Sequence, residues 1–292
     1  MFEKGMINPI EIMKQTTIEL DLFNFGDGVT FLPNALFDHY STLGLTPSEL
    51  VVYINIWRHW TNPNTLPCPS NRVISKSTGF RPRTVNWYTA KLHELGFIER
   101  IERRCTNGSN MTNQYNLSPL ITYLEKIAKP MSVLESYPSD GDCEIRKEIG
   151  CRYGDSLSIF GSTIIPNMLL DRQSDLGITQ SELFLIFNLM RHMYSNKPIL
   201  NVTLRQLSVQ MGMNKRTISA LVTKLVKKGF LKRYTRINAS NEYDIHPLLL
   251  ALRNGIFEIT DGERSMDAKS YIDKVNDNSL WHRLLTSESL AL

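Results

Sequence analysis

"STGFRPRTVNWYTAKLHELGFIER" (residues 77–100) and, further along, "QMGMNKRTISALVTKLVKKGFLKR" (residues 210–233) share one plan. Each sets a glycine before a basic cluster that ends in Arg-Thr. An apolar pattern of helical period follows, then Gly-Phe and a strand-like run. Working outward from this pair, residues 31–100 align with 164–233 at a constant offset of 133, without an insertion. Of the 70 aligned positions 24 are identical, including Asp38/Asp171, Thr46/Thr179, Glu49/Glu182, Arg58/Arg191, Gly79/Gly212, Arg83/Arg216 and Gly96/Gly229. "NQYNLSPL" (113–120) and "NEYDIHPL" (241–248) prolong the match at offset 128, after a loop five residues shorter in the second copy. Similarity of this length, held in register, marks an internal duplication.

The same local signals recur in both copies. Thr46 and Thr179 are placed to cap a helix, with Glu49 and Glu182 three residues on to complete a capping box. Leu50, Tyr53, Ile54 and Trp57 then recur at i, i+3, i+4 and i+7, which predicts one apolar helix face. A shorter helix starts at Ser70 or Thr203 and closes at Gly79 or Gly212, residues suited to a left-handed turn. A third helix is predicted over about 82–95 and 214–228. Its inward residues are Val85, Tyr88, Leu92 and Leu95 in one copy and Ile218, Leu221 and Leu225 in the other. Lys228 breaks that pattern, so fraying is expected there. "FIERIERR" and "FLKRYTRI" alternate apolar and polar residues, as a half-buried strand does. The predicted fold class is mainly α with small β-hairpins (α+β), built as two tandem winged helix-turn-helix domains.

The wording of the first copy carries a resemblance. "PSNRVISKSTGFRPRTV" followed by "HELGFIER" is similar to the phrase of helix-turn-helix domains in plasmid and phage replication initiators and in bacterial transcriptional regulators. The second copy departs from it, with Val202-Thr203 for Pro-Ser and Met211 before the glycine, but keeps "GMNKRTI" and "KKGFLKR". The resemblance covers about 170 of the 292 residues. It implies double-stranded DNA as partner and does not choose between regulator and initiator.

Composition agrees with this reading. A chain of 292 residues with 42% apolar residues is long enough for two folded domains. No run approaches the roughly 18 apolar residues of a membrane span, and no secretory signal is expected. Cys68, Cys105, Cys143 and Cys151 show no metal-binding spacing and read as free thiols, which fits a cytoplasmic setting on bacterial, plasmid or phage DNA. The net charge of +4 is unevenly divided. Residues 31–120 hold 9 Lys/Arg against 5 Asp/Glu, and residues 164–250 hold 12 against 5. The remainder holds 12 against 19, so the positive charge sits on the two copies. Segregation of this kind is an electrostatic footprint of nucleic-acid binding.

In this domain type the third helix enters the major groove by its N-terminal part. The candidate DNA-binding residues are therefore Arg81, Arg83, Thr84, Asn86 and Trp87 in the first copy, and Asn214, Lys215, Arg216, Thr217 and Ser219 in the second. Arginine can read guanine and asparagine adenine through two hydrogen bonds each. Arg103 and Arg104 in one wing, Lys232 and Arg236 in the other, are candidates for the phosphate backbone. His59 and His192 are read as stabilising the ends of their helices rather than as metal ligands. No catalytic or metal-binding constellation is found, so neither enzyme nor cofactor is expected. The leading reading is a transcriptional regulator with two reading heads. The alternatives are a replication initiator bound to repeated origin sites, or an architectural subunit that uses the fold for protein contacts. Two heads on one duplex face would read elements about 10 bp apart. The expected layout is an arm at 1–30, a domain at 31–120, a linker at 121–160, a domain at 161–250 and a helical tail at 251–292. Arm and tail are the candidates for docking onto the body or for a homodimer contact.

Overall fold

The computed structural model describes residues 28–61, 64–127, 162–193, 199–236 and 240–252. Nearly all of the arm and tail, most of the linker, and Cys143 and Cys151 lie outside the described residues. Cys68 and Cys105 are free thiols.

Two units follow one order of elements. The first runs β1 (Val29–Pro33), α1 (Asn34–Asp38), α2 (Pro47–Trp57), α3 (Asn71–Thr78), α4 (Pro82–Glu94), β2 (Glu99–Ile101), β3 (Gln114–Asn116) and α5 (Ser118–Ile127). The second runs β4 (Ser162–Pro166), α6 (Asn167–Asp171), α7 (Gln180–Met190), β5 (Ile199–Asn201), α8 (Leu204–Gln210), α9 (Lys215–Lys227), β6 (Lys232–Tyr234) and β7 (Glu242–Asp244), then a helix over 246–252. Both expected capping boxes form: Thr46 and Thr179 accept from the N–H of Glu49 and Glu182, whose carboxylates accept in return at 2.7 and 2.8 Å. Helix α2 packs on α3 and α4, and α7 on α8 and α9, so each unit is a three-helix cluster closed by an antiparallel hairpin.

Several expectations need correction. Residues 121–127, placed in the linker, continue α5, because Leu120, Ile121 and Leu124 bury one side of it. Leu95, expected inward, caps the end of α4 and is 46% exposed. Lys228 does not mark a frayed end: its ammonium crosses to Glu182 at 2.6 Å and to the Gly177 carbonyl at 2.7 Å. The wings also differ by a strand that the sequence reading missed. β5 joins β7 in the second unit, whereas its counterpart in the first keeps one bond, from Tyr115 N–H to the Pro67 carbonyl at 3.0 Å. Pro67 stands where Leu200 pairs with Tyr243, and a proline has no N–H to give a ladder.

The two units meet along a seam with two-fold character. β1 and β4 pair antiparallel, and Phe31 lies opposite Ile164, its own counterpart at offset 133. Several polar contacts across the seam are reciprocal. Arg58 pairs with Asp171 and Arg191 with Asp38, each at 2.6 Å. Thr30 donates to Asn167 at 2.5 Å, and Thr163 to Asn34 at 2.7 Å. Phe37 and Tyr40 of the first unit pack on Phe184 of the second, with centroids 6.2 and 4.3 Å apart. Helices α2 and α7 touch directly across the same seam. Both are therefore buried on every side from the capping glutamate onward, Glu49–Trp57 and Glu182–Met190, where a single apolar face had been expected. One continuous hydrophobic core runs through both units.

Candidate nucleic-acid interface

The approach to each third helix is fixed by the same three devices. Gly79 and Gly212 take φ of 71° and 58°, a region that side chains with a Cβ rarely enter. Ser75 and Ser208 donate their hydroxyls forward to the carbonyls of Phe80 and Met213, both at 2.5 Å, bracing the turn. Each turn is also pressed against the other unit. A Cβ on Gly79 would lie 2.8 Å from Ser174 Oγ, and one on Gly212 would lie 2.5 Å from Ser41 Cβ.

From these turns α4 and α9 present their first residues to solvent, but the two starts are built differently. Helix α4 begins with Pro82 and has no side-chain cap, so Arg81 and Arg83 extend without a protein partner among the described residues. Helix α9 begins with a cap: Asn214 Oδ1 accepts from Thr217 N–H at 2.8 Å and from its hydroxyl at 3.0 Å. Asn214 and Thr217, both expected to face DNA, thus spend those groups on each other, while Lys215 and Arg216 are exposed. Arg83 and Arg216 occupy the same register in the two units. Thr84 is half-buried, and Asn86 accepts from Arg100 at 3.4 Å. Trp87 is 56% exposed, with the Lys91 ammonium 5.5 Å from its ring centroid, so it does not pack on the first helix. Ser219 is half-buried.

The wings hold part of their own charge. Arg103 donates to the Thr112 carbonyl and hydroxyl at 2.9 and 3.1 Å. Arg236 donates to the Ser240 carbonyl at 3.0 Å and pairs with Glu242 at 3.0 Å. Both arginines brace their hairpins, which lessens their availability for phosphate. Arg104 sits at an isolated bridge with Asn110, and Lys232 is exposed on β6. Arg72 and Arg205 were not among the expected residues. They hold equivalent, exposed positions at the start of α3 and α8, the helix that crosses the backbone in this motif. They are identical at offset 133.

His59 and His192 do not act as cations at their helix ends. Burial holds both imidazoles below their ordinary pKa, and Arg58 and Arg191 beside them push the same way. The arginines are the charged groups there. Among the described residues no cluster of His, Cys, Asp or Glu could hold a metal, and no helix is long and apolar enough to cross a membrane.

A glycine turn feeding an exposed basic helix, packed on a capped first helix, decides the family resemblance of the first unit. Residues 43–98 match the model of a helix-turn-helix domain. The chain thus carries a helix-turn-helix DNA-binding domain, whose match runs from the end of the α1–α2 loop to the start of the first wing. Residues 165–267 match the model of the DnaD N-terminal domain, which takes in the second unit from β4 onward. No curated protein matches the chain.

Proposed function

We propose that this chain is a sequence-specific binder of double-stranded DNA, not an enzyme, and that it serves the initiation of DNA replication. One observation carries the reading. Arg83 and Arg216 stand at the same register on two exposed helix starts, one turn past a braced glycine, with no protein group to satisfy them among the described residues. A cation at a helix N-terminus opposes the helix dipole, so an anionic partner is the natural account of its position there. The likeness of the second unit to the DnaD N-terminal domain, a replication-related family, favours initiation over the regulator reading. On this account both units are winged helix-turn-helix heads derived by duplication.

Selection from a random duplex library followed by footprinting tests the function. Arg83→Ala and Arg216→Ala should each weaken specific binding by about 1–3 kcal/mol and relax base choice within their own footprint. A head whose arginine can be removed without change in affinity or selectivity is not a reader. Sites clustered beside an AT-rich, easily melted segment would support initiation, and sites lying over promoters would replace it with regulation.

A further inference from the structure

We infer that the two heads read one duplex together, as an inverted repeat of two unlike half-sites held at one fixed spacing. The inference rests on the DNA-reading function proposed above. It comes from the symmetry of the seam, which two heads on a slack linker would not have.

Every reciprocal contact across the seam exchanges equivalent residues: Arg58–Asp171 with Arg191–Asp38, Thr30–Asn167 with Thr163–Asn34, Gly79–Ser174 with Gly212–Ser41. Contacts that exchange in this way define an isologous, two-fold arrangement, the kind found in symmetric dimers. The turns that launch α4 and α9 belong to the seam. Gly79 abuts Ser174, and Gln180 of the second unit donates to the Thr78 carbonyl at 3.2 Å, one residue before that glycine. Arg58 binds Ser77 at 2.9 Å in the same group as Asp171. The reading ends of both helices therefore start at the seam and cannot turn independently.

A B-form duplex has its own two-fold axes perpendicular to its length, and they interchange the strands. Two readers related by a two-fold meet opposite strands with the same polarity, which is an inverted repeat. A direct repeat needs readers related by translation along the groove, and the exchanged contacts exclude that relation. The half-sites differ because the heads differ. Arg83 and Arg216 match, but Arg81-Pro82 faces Asn214-Lys215, and Asn86-Trp87 faces Ser219-Ala220. A matched arginine predicts a shared base, most simply a guanine in each half, with different bases around it. Such a site has a direction, so the chain binds it one way round.

The test uses the full chain and the sequence that emerges from random-library selection. Four duplexes are compared: the selected site, the site with one half reversed, the site with 5 bp inserted between halves, and one half alone. Reversal and insertion should each lower affinity at least tenfold, to the level of the single half. Selection of a direct repeat or a single half overturns the inference, as does indifference to reversal and insertion, including heads that take two separate duplexes. Selection that enriches no sequence overturns the DNA-reading function itself, so the two failures are distinguishable.

Discussion

Glu49 and Glu182 are nearly inaccessible carboxylates, and each ties the cap of its first helix to a lysine of the third. Burial alone would raise their pKa. The ammonium of Lys91 or Lys228, with the N–H and hydroxyl of Thr46 or Thr179, outweighs it and leaves both below the ordinary 4.5. A carboxyl held low in the native state adds stability above its unfolded pKa and loses it as pH falls through the folded one. Neutral His59 and His192 behave alike from a higher start, since the unfolded chain takes up protons below 6.5 before the native one does. The urea midpoint should therefore fall in two stages on acidification, first below about pH 6.5 and again below about pH 4.5. The double variant E49Q/E182Q should flatten the second stage and leave the first. A midpoint unchanged between pH 7 and pH 5 would remove the histidines from this account. The capping pairs were legible in the sequence because Thr and Glu three apart have one common use. The lysines opposite them were not, since Lys91 and Lys228 sit one turn apart in the alignment and only packing brings each to the same carboxylate.

For the element, the turn between the second and third helix matters most. Ala at Gly79 or Gly212 would meet two penalties: the left-handed backbone, worth about 1–2 kcal/mol, and a neighbour across the seam closer than a Cβ tolerates. Gly44 and Gly96 have φ of 67° and 71° but open space beside them. Alanine scanning of the four, read by thermal unfolding, should rank Gly79 and Gly212 above Gly44 and Gly96. Equal losses at all four would leave backbone strain alone and deny the close approach. Sequence foresaw these glycines as turn formers, since a glycine between a short helix and a basic cluster has few other uses. The closeness of the other unit was invisible there. The cap made by Asn214 was also not foreseen: the same amide that can read adenine can cap a helix, and spacing does not separate the two.

At the scale of the whole molecule, α2 and α7 already carried the evidence for the seam. "LVVYINIW" and "LFLIFNLM" are apolar all the way round, and a helix of that kind is covered on more than one side. Reading them for one face found the domain cores and overlooked the partner. The seam should make unfolding a single event for both units. In Arg58–Asp171 and Arg191–Asp38 the guanidinium is the buried member, so losing its carboxylate leaves a charge unpaired. Asp38→Ala and Asp171→Ala should each cost about 1.5–3 kcal/mol, less than a fully buried pair because the carboxylates are half in water. The double variant should lose cooperativity as well, giving a shallower denaturation slope or two transitions by tryptophan fluorescence and near-ultraviolet dichroism. A steep single transition in the double variant would mean that the apolar contacts hold the units together unaided.

The Phe31–Ile164 pairing has a consequence for how occupancy depends on protein concentration. Symmetric two-headed readers made of separate chains must first associate, so at low abundance their bound fraction rises with the square of concentration. On the proposed reading both heads are delivered by one polypeptide, already joined along β1 and β4. Their assembly has no dilution limit. A cell holding few copies would still present complete readers, and binding would track dosage in proportion, without a threshold set by association of two subunits.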